Sequence, residues 1–281
     1  MHRGYVNPWE CDEMGHMNLQ FHAAKFADAL AHLGALAGID TPRLHHAHFR
    51  FAHEMRASDL VTIRVLALAT AGARVTLQFL MSNGDEVLAS SQIAEVACAD
   101  ERSALHLQVL SGSDVPHAQA QPRAIDPALF DRTPSLARDG AAQRFETIRS
   151  VVQPADCNSD GTMGARAIMA RLSECQAHMW HAAGIGRHWQ TQENLATATA
   201  ELGIRFHATL EAGAPLVVTS AFRIAGSKVM RFSHHMFHAA SGLPVMAAEG
   251  AAVLIDRTTR RAVPMPPMTR HENSTPAGFS P

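Results

Sequence analysis

Four cysteines in 281 residues are too few for a dense disulfide framework, and none of them sits at a metal-ligand spacing. A basic excess is also missing: 24 Lys and Arg against 26 Asp and Glu give a formal net charge of −2, which offers no cationic surface for nucleic acid. No run of about 18 apolar residues could cross a bilayer, and the chain opens without a basic, apolar leader, so no membrane association is expected and the cytoplasm is. Charged residues make up 18% and hydrophobic ones 47%, ample apolar material for a core. The length suits one large domain or two of about 140 residues.

What is present decides for two. Glu10-Cys11-Asp12-Glu13-Met14-Gly15-His16-Met17-Asn18 recurs in altered form as Asp156-Cys157-Asn158-Ser159-Asp160-Gly161-Thr162-Met163-Gly164. Cys11/Cys157, Gly15/Gly161 and Met17/Met163 share one spacing of 146 (157 − 11), kept by Pro8/Pro154 and by Ala37-Gly38-Ile39/Ala183-Gly184-Ile185. After each turn the apolar residues fall at i, i+3, i+4, i+7 and i+11: Phe26, Ala29, Leu30, Leu33 and Ala37, then Leu172, Cys175, Met179 and Ala183 with Gln176 as the one polar interruption. Each half is therefore a polar turn feeding a long, mostly buried helix. Two copies are too few for a solenoid. Cys11 and Cys157 read as core thiols.

The rest of each half reads as strands. In the first, residues 3–9 form a short strand ending near Pro8, and a helix runs from about Asn18 to Leu36, closed by Gly38. Phe49, Phe51, His53 and Met55 alternate with Arg50, Ala52 and Glu54 as a half-buried strand. Strands follow at Leu60–Leu68, Arg74–Met81 and, after an Asn83-Gly84 hairpin signal, Val87–Ala97. The second half repeats the order: a strand at Thr147–Pro154, a helix at Ala165–Ala183, and strands near Gly203–Leu210, Leu216–Ile224, Val229–His238 and Val245–Asp256, with Arg50-Phe51 matching Arg205-Phe206. The expected units are 1–102 and 144–263. A Ser-, Pro-, Gln- and Asp-rich connection at 103–143 joins them, with a short helix at Asp126–Asp131, and an extended or disordered tail occupies 264–281.

One long helix followed by antiparallel strands, with an Asp-bearing turn at the helix entrance, resembles the hotdog fold. Glu10 to Asn18 followed by Phe26-Ala27-Asp28-Ala29 is similar to the signature of the 4-hydroxybenzoyl-CoA and acyl-ACP thioesterase branch of that superfamily. The resemblance implies an α+β double hotdog, a fused pseudo-dimer similar in plan to the plant acyl-ACP thioesterases. It also implies hydrolysis of an acyl-CoA or acyl-ACP thioester without metal or organic cofactor, and further association of chains is compatible with it. Carried onto this chain, the family's catalytic carboxylate falls on Asp12, as nucleophile or general base. Backbone amides around Gly15 to Met17 would polarise the carbonyl, with His16 and Asn18 shaping the site. Gly15, Met17 and Phe21 are the expected substrate-binding residues, although Leu19, Gln20 and Phe21 depart from the family's usual Asn and hydroxyl-bearing aromatic, which leaves the family's finer substrate contacts open.

Simpler roles stand beside these. An Asp before a Met-Gly pair can serve turn geometry alone, Asn18 is a natural N-cap, and His16 can merely brace the loop. Asp28 and Glu174 occupy equivalent helix positions; either is a solvated carboxylate, or Glu174, with Ser173 or Arg171, enters the cleft opposite Asp12 from the second helix. The clusters His45, His46, His48 and His234, His235, His238 lack the carboxylates or thiols of a recognised metal site. A hotdog dimer has two clefts, but Asn158, Thr162 and Gly164 replace Asp12, His16 and Asn18, so one working site is expected, unless Asp156 or Asp160 serves the second. The competing functions are a non-catalytic acyl-thioester sensor and an enoyl-CoA hydratase, whose Asp-x-Asn-Pro-x-His order neither copy contains.

Overall fold

Asn18 stands in extended backbone and its side-chain oxygen accepts the amide of Gln20 at 3.1 Å, the geometry of an N-cap. The helix it opens, α1 (Leu19–Ala37), buries Phe26, Ala29, Leu30 and Leu33 and stops at Gly38 in the left-handed conformation (φ 68°). The computed structural model describes residues 2–39, 42–112, 117–125, 133–136 and 144–267. Around α1 lie β1 (His2–Tyr5), β2 (Arg43–Phe51), β3 (Leu60–Ala71), β4 (Arg74–Ser82) and β5 (Leu88–Ala97), followed by α2 (Glu101–Leu110). The second unit is β6 (Phe145–Val151), α3 (Ala165–Ala182), α4 (Arg187–Gln192), β7 (Leu195–Phe206), β8 (Pro215–Ala225), β9 (Val229–His238), β10 (Pro244–Asp256) and β11 (Ala262–Val263).

Among the described residues the strands form one 11-stranded sheet in the order β1-β3-β4-β5-β2-β7-β10-β9-β8-β6, with β11 on β10. Every pairing is antiparallel, and the order is the same from either edge once each strand is replaced by its repeat equivalent. The two units meet where β2 pairs with β7, His46 opposite Arg205 through Arg50 opposite Glu201. The copies are offset by 155 residues here (205 − 50), so the pseudo-two-fold axis passes through the pair His48 and Gly203. The sheet wraps α1 and α3, which pack against each other around a shared core. This is the double hotdog, α+β.

Several boundaries differ from expectation. β1 ends at Tyr5, because Pro8 starts a 3-10 turn (Pro8–Glu10). β2 ends at Phe51, leaving His53 and Met55 in the loop, where the carbonyl of Met55 accepts the amide of Met17 at 2.7 Å. The loop after β4 is longer than an Asn-Gly pair: Asn83 Oδ1 accepts the amides of Asp85 and Val87 while Glu86 takes a φ of 61°. β7 starts at Leu195, eight residues before Gly203, in the Ala-Thr alternation of Ala196 to Ala200. The connection at 103–143 overlaps α2, capped by Asp100 and packed through Ala104 and Leu107. The expected helix at Asp126–Asp131 and the tail from 268 onward lie outside the described residues.

After α2 the chain crosses the sheet face opposite the helices. Gly112 bridges to Leu66, the amide of His117 donates to Gln78 at 2.9 Å, and Ala120 packs on Leu66 and Leu80. Arg50 Nη1 then donates to the carbonyl of Gln121 at 3.0 Å, and the amides of Arg123, Ala124 and Ile125 donate to the Glu201 carboxylate at 3.0–3.2 Å. His48 Nε2 lies 2.9 Å from the same carboxylate, which is 2% exposed. Burial alone would raise the Glu201 pKa, but the hydrogen bonds from His48 and from the Ala124 and Arg123 amides outweigh it and bring the carboxyl down to about 2. A depressed carboxyl stabilises the fold above its unfolded value of 4.5 and loses that contribution as pH falls toward 2, an amount of about 3 kcal/mol. Glu201→Gln is accordingly expected to melt at a lower temperature than wild type at neutral pH, with the gap closing as pH drops through that window. Thermal unfolding of both proteins across pH checks it.

Candidate active site

The two motif turns have the same backbone. Asp12 N donates to His16 O and Gly15 N to Asp12 O at 2.8 and 3.0 Å; Asn158 N to Thr162 O and Gly161 N to Asn158 O repeat both distances. Gly15 and Gly161 have φ of 74° and 79°, a left-handed conformation in which a side chain would be strained. Met17 N bonds Met55 O and Met163 N bonds Leu210 O, each at 2.7 Å, while His16 bridges to Arg56 and Thr162 to Glu211.

Each turn is also clamped to its helix by an ion pair that sequence reading missed. Lys25 Nζ reaches Glu10 Oε1 and Oε2 at 3.0 and 3.1 Å and the carbonyl of Tyr5 at 2.9 Å, and Glu10 Oε2 accepts the amide of Asn7 at 2.8 Å. The equivalents Asp156 and Arg171 pair at 3.1 Å, with Asp156 accepting the amide of Gln153 at 3.0 Å. Glu10 and Lys25 each lie 146 residues before their counterparts, and that shared spacing was the available signal.

A cleft of about 650 Å³ opens between the first turn and α3 of the other unit. Asp12, His16, Met17, Asn18 and the ends of α1 and β2 form one wall; Ser173, Gln176, Ala177 and Trp180 of α3, with β7 and β10, form the other. Asp12 is exposed, and its Oδ1 accepts the amides of Met14 and His16 at 2.8 and 3.1 Å. His16 Nε2 lies 3.0 Å from Glu54 Oε2. Burial lowers the His16 pKa, opposed by the Asp12 charge and assisted by Arg260 and Arg56. Across the mouth, Glu54 pairs with Arg260 and Glu13 with Arg187, tying the two units together. His22 lines the inner part; burial takes its pKa to about 3, and Nδ1 sits 2.8 Å from Ser90 Oγ. Glu54 and His22 were not anticipated, although His22 shares the buried stripe of Phe26 and Ala29.

The structure separates other expected residues from this cleft. Glu174 lies in a neighbouring groove of about 440 Å³ with Asn18 and Gln20, half-exposed and 3.3 Å from Arg171; Asn18 and Ser173 border both spaces. Arg171 is occupied by Asp156, and Gln176, bonded to Thr199 at 3.0 Å, is what α3 presents to the cleft beside Ser173. Neither Gly15 nor Phe21 lines the cleft: Gly15 serves the turn and Phe21 packs on the core. The amides of Gly15, His16 and Met17 are taken by Asp12 O, Asp12 Oδ1 and Met55 O, so they cannot hold a substrate carbonyl. Leu19, the first helical residue and a cleft residue, makes no such bond through its amide among the described residues. In the second turn, Asn158 Oδ1 would stand 2.4 Å from a Cβ at Gly164, and Asp160 bonds Thr162. Among the described residues no group of three or more His, Cys, Asp or Glu is placed to hold a metal; His45 contacts Glu95, His234 is buried on Ser220, and His238 holds Ser241.

With two such units in one chain, the comparison with known proteins is decisive. The family model of the thioesterase-like superfamily matches residues 6–128 and 152–272. The chain belongs to the thioesterase-like superfamily. The fold is shared with an acyl-ACP thioesterase from Bacteroides thetaiotaomicron (8% identity, TM-score 0.62, 89% of this chain and 96% of that one) and the 12:0-ACP thioesterase of Umbellularia californica (7%, 0.60, 89% and 92%). A Lactobacillus plantarum protein provisionally named an oleoyl thioesterase is similar at 12% identity and a TM-score of 0.66, over 90% of this chain and 94% of that one. No curated protein matches the sequence. At these identities the structures establish the double-hotdog fold of this thioesterase-like chain, not its substrate. The buried clamp gives a test of how its turn is held: Lys25→Met leaves Glu10 buried without a cation and is expected to cost about 3–5 kcal/mol. Glu174→Ala removes only a solvent-screened pair and is expected to cost less than about 1 kcal/mol. Urea denaturation of the two variants distinguishes these outcomes.

Proposed function

We propose that the chain hydrolyses an acyl thioester of CoA or acyl carrier protein, using one cleft per chain. The observation that carries this reading is a joint divergence of the copies. Asp12, His16, Asn18 and Glu54 surround the cleft mouth, and their counterparts are Asn158, Thr162, Gly164 and Thr209, although the backbone bonds of the two turns are the same. Thr209 matches Glu54 because Leu210 and Met55 accept equivalent amides. A carboxamide cannot act as a carboxylate base or nucleophile.

In this reading Oδ1 of Asp12 is fixed by the turn amides, and Oδ2 either takes a proton from water as it attacks the thioester carbon or attacks that carbon itself. Developing negative charge on the carbonyl oxygen is met by the Leu19 amide and the positive end of α1. Collapse breaks the carbon–sulfur bond. In the water route the proton held by Asp12 passes to the departing thiolate; in the covalent route water then cleaves the anhydride, restoring Asp12 and releasing the acid. Glu54 fixes the His16 ring at the cleft wall, and Asn18 holds the helix entrance. Support for an acyl thioester over other esters comes from the superfamily and from the thioesterases that share the fold.

Thiol release from a panel of acyl-CoAs and acyl-ACPs tests the proposal. Asp12→Asn is expected to fold as wild type and bind as tightly, but to turn over roughly 100-fold more slowly or worse. Near-wild-type turnover would remove Asp12 from the chemistry, and tight binding by wild type without any thiol release would favour a sensor.

A further inference from the structure

We propose, resting on the acyl-thioester reading above, that Trp180 closes the inner end of the cleft and restricts the acyl group to short and medium chains. The face that α3 turns to the cleft is Ser173, Gln176, Ala177 and Trp180, spaced i, i+3, i+4 and i+7. Ser173 borders the motif end, since it shares the neighbouring groove with Asn18. From Ser173 to Trp180 the helix advances about 10.5 Å, roughly the reach of an extended octanoyl chain. Of the residues lining the cleft, Trp180 (3% exposed) is the bulkiest that is buried; the other buried ones are Met17, His22 and Ala196. Ile255 of β10, opposite Ala196, and Val253, opposite Ala198, supply apolar wall.

Two features argue that the indole is a wall rather than a strut. Its Nε1 has no hydrogen-bond partner, whereas a buried indole N–H usually finds one, so the ring is held by packing alone. Its repeat equivalent is Gly34 (180 − 146), where a Cβ would meet the Pro42 ring at 3.0 Å. The fold therefore accommodates either extreme of size at this helix position, and only the copy facing the Asp12 turn has the large one.

The test measures kcat/KM for acetyl-, butanoyl-, hexanoyl-, octanoyl-, dodecanoyl- and hexadecanoyl-CoA, together with binding of the matching non-hydrolysable thioethers. Wild type is expected to favour hexanoyl and octanoyl and to lose at least ten-fold at dodecanoyl. Trp180→Ala is expected to recover at least ten-fold on dodecanoyl, Trp180→Leu to shift the limit by less while preserving the core, and Trp180→Phe to keep the wild-type limit. Circular dichroism and melting confirm folding, and Trp180→Leu carries the test should Trp180→Ala not fold. If no acyl-CoA is hydrolysed but the thioethers show the same limit, moved by Trp180→Leu, hydrolysis fails and the wall stands. Efficient use of dodecanoyl by wild type, or a limit unmoved in a folded Ala or Leu variant, overturns the wall.

Discussion

The antiparallel pairing of β2 with β7 is the constraint on which the rest of the molecule depends. A lone hotdog unit would leave that strand as an exposed edge, whose unpaired amides and carbonyls invite association with another chain. Here each unit covers the other's edge, and among the described strands the ends of the sheet order are the short β1 and β6. Because the seam pins His48 opposite Gly203, it also fixes α1 beside α3, and the turn before α1 can only open against the flank of α3. The cleft is thus a product of the pairing register. Glu201 lies on this seam and gathers three amides of the crossing connection, so the same point holds the units in line and ties down the chain that joins them.

Fusion removes the obligation of symmetry. In a dimer of identical units any change at the turn appears twice; in this chain the turns have kept their backbone and separated in their side chains. Asn158 is instructive. Its carboxamide lies against Gly164, in space that a side chain at that helix entrance would need, so the second helix begins without the side-chain cap that Asn18 gives the first. What the second copy retains is structural: the Asp156–Arg171 clamp, the left-handed glycine and the buried Met163. Its helix still serves the site, through Ser173, Gln176 and Trp180.

The sequence made the repeat, both long helices and most strand segments legible, because Phe26, Ala29, Leu30 and Leu33 repeat at helical spacing and the strands alternate at period two. It concealed the start of β7, since Ala196 to Ala200 alternate small residues with Thr and carry little hydrophobic contrast; those residues face a cleft rather than a packed core. Polar pairs were harder to read, even where, as for Glu10 and Lys25, the repeat spacing offered a signal. Glu54 meets His16 only after β2 has returned the chain to the turn, and Lys25 meets Glu10 only when α1 lies over it. Glu174 shows the reverse error: its position in the repeat was right, but the helix aims it at the neighbouring groove and gives the cleft Gln176, two positions on. The amides of Gly15 to Met17 looked free in a turn motif and are spent on holding that turn.

The central claim is that chemistry belongs to the cleft made by the first turn and the second helix. A crystal structure with a non-hydrolysable octanoyl-CoA thioether tests it most directly. The account requires one molecule per chain, its sulfur-bearing end beside Asp12 and the Leu19 amide and its acyl end directed along α3 toward Trp180. An analogue seated against Asn158 and α1 instead, or equally in both clefts, would contradict it.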